Sequence, residues 1–106
     1  MKIIEQEEVR KLLQPKDCIQ LMAEALKGLE SGEYAQPARL ITVMPNTAKF
    51  GFMPAYVGDY FGAKVISAFA PNMGTKYPSH IGYVMLFESA HSTVAGMIEA
   101  GSITEI

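Results

Sequence analysis

The chain has 106 residues, which is enough for one domain with a single modest core. A hydrophobic fraction of 49% excludes a disordered chain, and a net charge of -2 argues against the basic surface that nucleic-acid binding requires. Its one cysteine, Cys18, excludes an intramolecular disulfide. Without an export signal or an apolar run of membrane length, the composition predicts a cytoplasmic protein that has no membrane partner.

The first third of the chain predicts a short strand followed by two helices. The opening "KII" is strand-like, and "EQEEVRKLL" is typical of a short helix. Pro15 fits the first position of a second helix, because its missing N–H would be unpaired there, and Gly32 supplies a stop. Apolar residues recur in between at every third or fourth position and predict a stripe that packs against another surface: Ile19, Met22, Ala23, Leu26 and Leu29.

From Arg39 onward the pattern changes to short segments rich in β-branched and aromatic residues, which predict strands. The five segments are "RLITVMP", "KFGFMPAYV", "FGAKVISAFA", "IGYVMLFES" and "STVAGMIEA". Their spacing leaves no room for crossover helices, so we expect mostly antiparallel connections. Pro54 indicates an edge, a bulge or a strand end in the second segment. The predicted fold class is α+β, with N-terminal helices packed on a mostly antiparallel sheet of about five or six strands.

The third predicted strand is apolar on both alternations, with Val65 and Phe69 on one side and Ile66 and Ala68 on the other. A sheet that is buried on both faces needs two covers, and one amphipathic helix supplies only one. The pattern therefore predicts that another subunit or another domain covers the second face. The alternative is a deep core strand beneath a curled sheet.

Two cations are candidates for binding an anion. Lys64 lies in the middle of an apolar strand, where an unpaired ammonium is costly unless it reaches solvent or an anion. Arg39 opens the first strand of the series, and its planar guanidinium suits a carboxylate. Each could be a solvated charge at a strand end, and the two could clamp one carboxylate only if their strands are close neighbours.

The two histidines and the remaining motifs give weaker evidence for a functional site. His80 could act as an acid or base near neutral pH, or could simply be hydrogen-bonded at the start of a strand. His91 lies in a polar turn, and Cys18, His80 and His91 have no metal-ligand spacing. There is no GxSxG, GxGxxG or P-loop, so the chain has no motif for binding a nucleotide.

At the C-terminus, Ser102 and Glu105 form a capping-box pattern that predicts the start of a helix at residues 102–106. Only a few residues lie beyond the cap, fewer than a stable helix needs. The alternative is an accidental match on a frayed tail.

Several stretches together resemble, in order, the N-terminal part of the ornithine cyclodeaminase and mu-crystallin family. They are "MKIIEQEEVRKLL", "DCIQLMAEALKGLESGEYAQPAR", "GFMPAYV", "GAKVISAF", "PSHIGYVMLFES" and "GSITEI", and they extend over essentially all 106 residues. The resemblance implies a substrate-binding and dimerising domain, residues 1–106, of a two-domain enzyme that uses NAD or NADP. The family's Rossmann domain and catalytic carboxylate would lie outside this chain, so by itself the chain would bind no cofactor and be inactive.

The resemblance also assigns residues. Arg39 of "QPAR" and Lys64 of "GAK" are similar to the family's substrate-carboxylate ligands, and Met53 and His80 would line the site. The segment 102–106 would begin the helix that leads toward the nucleotide domain. The family's "THQG" is replaced by "SHIG", so Ile81 stands where an amide is usual.

The function that the resemblance implies is that of an amino-acid or imino-acid enzyme, a cyclodeaminase, dehydrogenase or ketimine reductase, acting as a homodimer on a small substrate. The alternative is a stand-alone dimeric module that catalyses nothing and binds a small carboxylate or a partner chain. A third hypothesis is a purely structural role, which predicts no amino-acid binding.

Overall fold

A computed structural model describes residues 2–101 of the chain. Helix α1 spans Gln6–Leu12 and helix α2 spans Pro15–Ser31. Pro15 begins α2, as predicted, and Gly32 ends it with a φ of 82°, a left-handed conformation that costs glycine little. The predicted helix at residues 102–106 lies outside the described residues.

Six strands form one sheet in the order β1-β6-β5-β4-β3-β2. Their bounds are Lys2–Ile4 (β1), Leu40–Val43 (β2), Lys49–Tyr56 (β3), Tyr60–Ala68 (β4), His80–Glu88 (β5) and Val94–Glu99 (β6). Strands β2 to β6 pair antiparallel with their neighbours, since each is joined to the next by a connection too short for a crossover. Strand β1 pairs with β6 in parallel. The α+β class and the mostly antiparallel sheet are confirmed.

Pro54 lies inside β3, opposite Ala63 of β4. On the other side of β3, Tyr56 exchanges two backbone hydrogen bonds with Ala35, and Phe52 pairs with Leu40 at the end of β2. Alternation directs the Pro54 nitrogen to this same side, into the gap between the two pairings. The proline therefore removes no ladder hydrogen bond, because it lies where β3 has an open edge.

The chain has a thin core. Among residues 2–101 the fully buried apolar side chains are Val9, Ala48 and Ala100, and the residues of β4 after Tyr60 are half-buried. The predicted stripe on α2 remains open to solvent in the single chain, since Ile19 is 73%, Met22 55% and Leu26 61% exposed. Both observations show that this chain by itself leaves large apolar surfaces uncovered.

The register divides the sheet into two faces. We call the face that carries Met53, Lys64 and Val84 the Lys64 face, because these three residues are direct partners on β3, β4 and β5. The opposite face is aromatic, and on it the rings of Phe61 and Phe87 stack with centroids 5.2 Å apart. Apolar residues occupy both faces of β4, as the sequence predicts.

Candidate functional site

The four side chains that the sequence singles out lie on the Lys64 face. Lys64 is opposite Met53, and continuing the β2–β3 register by one residue places Arg39 opposite Met53 on its other side. Arg39 itself lies one residue before β2, so this position is the one that a continued pairing would give it, about 10 Å from Lys64 between Cα atoms. His80 is on the same face, opposite Ala68 at the start of β5.

Glycines lie on both sides of Lys64 on this face, and Gly62 leaves a depression in it. Gly62 is two residues before Lys64 on β4, and a Cβ there would collide with the backbone oxygen of Met85. On the other side, Ile66 lies between Gly51 and Gly82, and a Cβ at Gly82 would meet the Ile66 Cγ2 at 2.7 Å. The strands therefore pack closely at Gly62, where the neighbouring atoms are backbone, whereas the Ile66 side chain fills the space beside Gly51 and Gly82.

Lys64 lines a pocket on each side. The first has a volume of about 360 Å³ and extends past Ile66 and Gly82 to His80 and Ala100. We call it the His80 pocket. The second has a volume of about 250 Å³ and is walled by Met53, Ala55, Val84 and Leu86 over Gly62. We call it the Leu86 pocket.

Lys64 is the only charged residue that lines the Leu86 pocket within the described part of the chain. Its side chain is half-buried, and no carboxylate of residues 2–101 forms an ion pair with it. An ammonium in apolar surroundings gains most from an anion that replaces its lost hydration. The geometry therefore suits the binding of a small carboxylate at Lys64, with Arg39 approaching from the edge of the sheet.

His80 is exposed, and its Nδ1 lies 3.1 Å from the Ser79 Oγ. The cross-strand partner of His80 is Ala68. Ala68 is four positions after Lys64 on β4, which corresponds to about 13 Å along the strand. His80 therefore lies at the opposite end of the His80 pocket from Lys64, and the two residues do not contact the same part of a small ligand. The structure pairs Met53 with Lys64, places Arg39 one residue before β2, and leaves His80 at the far end of the His80 pocket.

Two other polar clusters lie elsewhere in the structure. On the aromatic face, the Tyr83 hydroxyl donates to Glu5 Oε2 at 2.8 Å, and this hydrogen bond raises the pKa of Tyr83. In the β5–β6 hairpin, Glu88 accepts from the Thr93 hydroxyl at 2.7 Å and from the backbone N–H groups of Thr93 and His91. These bonds lower the pKa of Glu88. The first cluster links β5 to the residue before α1, and the second holds the β5–β6 hairpin. Neither places a carboxylate beside Met53 and Lys64.

The residues present do not form a dinucleotide site. The described sheet is antiparallel except for β1 and β6, and no strand of residues 2–101 leads through a glycine-rich turn into a helix, which is the arrangement that holds a pyrophosphate. No three potential metal ligands lie together within residues 2–101. None of the helices described is long and apolar enough to cross a membrane.

Sequence patterns alone did not single out the strand glycines or Leu86. Gly51, Gly62 and Gly82 each interrupt a strand pattern, and a glycine inside a strand is a signal of close backbone approach or of a ligand. That signal could have located the depression at Gly62 and the close contacts of Ile66 with Gly51 and Gly82. Leu86 carried no signal, because only the β4–β5 register places it opposite Gly62.

The whole chain matches one known protein family. The profile of the ornithine cyclodeaminase/mu-crystallin family matches residues 1–106. No curated protein matches the sequence. Among solved structures, that of Thermococcus litoralis Delta(1)-pyrroline-2-carboxylate reductase in complex with NADH and L-proline is similar, with a TM-score of 0.91 and 23% identity over 98% of this chain and 33% of that chain.

Two further structures have the same fold. An archaeal alanine dehydrogenase dimer with bound NAD gives a TM-score of 0.88 at 20% identity, over 94% of this chain and 31% of that one. A probable ornithine cyclodeaminase from Bordetella pertussis Tohama I gives 0.83 at 20% identity, over 98% and 32%. The chain thus spans about a third of the length of each of these structures.

Proposed function

Because this chain belongs to the ornithine cyclodeaminase/mu-crystallin family, we propose that it forms the substrate-carboxylate site and dimer interface of an NAD(P)-dependent enzyme that acts on a small amino or imino acid. In this proposal, residues 1–106 are the substrate-binding domain of a longer, cytoplasmic protein. The similar structures with bound NAD, or with NADH and L-proline, support the substrate class and cofactor. The reaction would be that of a cyclodeaminase, a dehydrogenase or a ketimine reductase.

One observation supports the proposal most strongly: Met53 and Lys64 are cross-strand partners that line an apolar pocket, and a continued β2–β3 register would place Arg39 on the other side of Met53. The guanidinium and the ammonium would hold the two oxygens of the α-carboxylate, and the apolar walls would exclude water. Fixing the carboxylate at two points orients the α-carbon, which is what a reaction at that carbon requires. The nicotinamide would supply the hydride chemistry from outside residues 2–101, which form no site for it.

The homodimer is proposed because of the uncovered apolar surfaces. The α2 stripe and the exposed Phe50 and Phe52 of the aromatic face leave more apolar side chains in solvent than a monomer of this size tolerates well. A second copy would cover such a surface symmetrically.

The test of the carboxylate site is a titration of the 106-residue chain with L-proline and L-alanine, monitored by NMR chemical shifts. We expect saturable shifts at Lys64 and its neighbours, and we expect Lys64→Met to abolish them. Lys49→Met is the matched control. Lys49 is the first residue of β3, lies on the same face as Lys64, and lines neither the His80 pocket nor the Leu86 pocket. Identical titrations for the two variants would contradict the assignment.

The second candidate is a stand-alone dimeric module that binds a small carboxylate and catalyses nothing. Both candidates expect the lack of a dinucleotide site within residues 2–101. The two candidates predict different sequences downstream of the codon for Ile106 in the source reading frame. A later GxGxxG after an apolar strand would support the enzyme, and a stop codon would support the module.

A further inference from the structure

We propose that the Leu86 pocket receives the substrate's side chain and selects amino or imino acids whose side chain carries no charge. This inference rests on the proposed function, because it assumes that Lys64 holds the α-carboxylate. It goes beyond that function by separating neutral substrates from diamino acids such as ornithine and lysine.

The pocket begins at the Lys64 ammonium and extends along β4 toward Gly62. Leu86 of β5 and Ala55 of β3 lie opposite Gly62 on its two sides, so the floor is backbone and the walls are apolar. A carboxylate held at Lys64 would place the substituents of its α-carbon within one or two residues of this floor, since neighbouring residues on a strand are about 3.3 Å apart. The side chain that fits here is short and apolar.

The charge of the substrate's side chain determines whether the Leu86 pocket accepts it. Apart from Lys64, the residues of the described chain that line the Leu86 pocket are apolar or glycine. The His80 pocket, on the other side of Lys64, has no carboxylate among its described lining residues either. A second ammonium in the Leu86 pocket would lose its hydration without gaining an anion, and it would be repelled by Lys64.

The next carboxylate along the same face is already engaged. Glu88 lies two residues beyond Leu86 and is the partner of Tyr60. Its oxygens accept hydrogen bonds from the Thr93 hydroxyl and from the backbone N–H groups of His91 and Thr93 in the hairpin. Moving Glu88 to a ligand's ammonium would break these bonds, so it is a turn-stabilising residue here and not an amine ligand.

The experiment compares L-norvaline with L-ornithine, which share a three-carbon side chain and differ in the terminal ammonium. Dissociation constants are measured by NMR titration of the 106-residue chain, with Lys64→Met in parallel. We expect L-norvaline to bind at least about tenfold more tightly than L-ornithine, and Lys64→Met to abolish the binding of both.

A paired substitution tests the pocket itself. Leu86→Glu adds a carboxylate to the wall and should bring the two dissociation constants together or invert their order, whereas Leu86→Gln has the same shape without the charge and should not. If circular dichroism shows that Leu86→Glu does not fold, Ala55→Asp with Ala55→Asn as its control makes the same comparison on the facing wall.

The outcomes separate the two hypotheses. Equal affinities for the two ligands, both lost in Lys64→Met, would overturn the selection and leave the carboxylate site standing. Tighter binding of L-ornithine would likewise overturn it, as would equal responses of Leu86→Glu and Leu86→Gln. Absence of binding by either ligand would overturn the proposed carboxylate site, and the inference would fall with it.

Discussion

Lys64 of β4 lies directly opposite Met53 of β3, so the two residues are cross-strand neighbours on one face of the sheet. Continuing the register places Arg39 on the other side of Met53. A cation on each side of an uncharged residue can hold the two oxygens of one carboxylate without the cations being forced into contact.

The first prediction concerns Arg39. In an active enzyme that contains this chain, Arg39→Ala should raise KM for the amino acid by about tenfold or more, since a charged hydrogen bond contributes about 1.5–3 kcal/mol. Arg39→Lys should fall between wild type and Arg39→Ala, because it keeps the charge and loses the planar fork. Arg39 is exposed, so thermal stability should not change. Steady-state kinetics measures the effect, and an unchanged KM would contradict the clamp.

The second prediction concerns Gly62. Gly62→Ala should lower the free energy of unfolding by about 1–3 kcal/mol, because the added Cβ collides with the Met85 backbone and the strands must separate. Urea denaturation measures it. Gly74→Asn is the control, since Gly74 has open space and a φ of 80° that asparagine adopts readily. Equal midpoints for the wild type and Gly62→Ala would show that the β4–β5 contact is not tight.

The third prediction is a pH dependence. The folded pKa of Glu88 is lowered by its hydrogen bonds to Thr93 and His91, so its stabilising contribution is present above the ordinary value of 4.5 and is lost as the pH falls through the lowered pKa. The wild type should therefore lose thermal stability below about pH 4.5 more steeply than Glu88→Gln. Melting temperatures between neutral and acidic pH measure the difference, and parallel curves would contradict it.

The fourth prediction concerns the α2 stripe. If a second copy covers it, Met22→Asp and Leu26→Asp should reduce self-association in light scattering. They should leave the monomer's stability nearly unchanged, because both side chains are more than half exposed in the single chain. Glu24→Lys, between them in the sequence, is a control for a change of charge on the same helix. Full self-association of Leu26→Asp would place the dimer contact elsewhere.

The ends of α2 and the positions of the strands were predictable from the sequence. The missing N–H of Pro15 and the left-handed conformation of Gly32 set the ends of α2, and alternation with turn residues located the strands from Leu40 to Glu99. These signals act over a few residues, so the sequence contains them directly. The candidate cations, Arg39 and Lys64, were chosen from the same local patterns.

Relations between distant residues needed the tertiary structure. The parallel pairing of β1 with β6 joins residues more than ninety positions apart, and no local pattern specifies it. The α2 stripe was predicted from its period, but whether this chain covers it depends on where the helix lies, and Leu26 is left in solvent.

The sequence by itself determined the fold class and the family, and it predicts Arg39 and Lys64 as carboxylate ligands. Only the tertiary structure decided that Met53 and Lys64 are partners, and that Leu86 is opposite Gly62 in a pocket without a carboxylate among the described residues. The physical reason is that side-chain type and alternation are local properties, whereas the register between strands comes from hydrogen bonds and packing across the whole sheet.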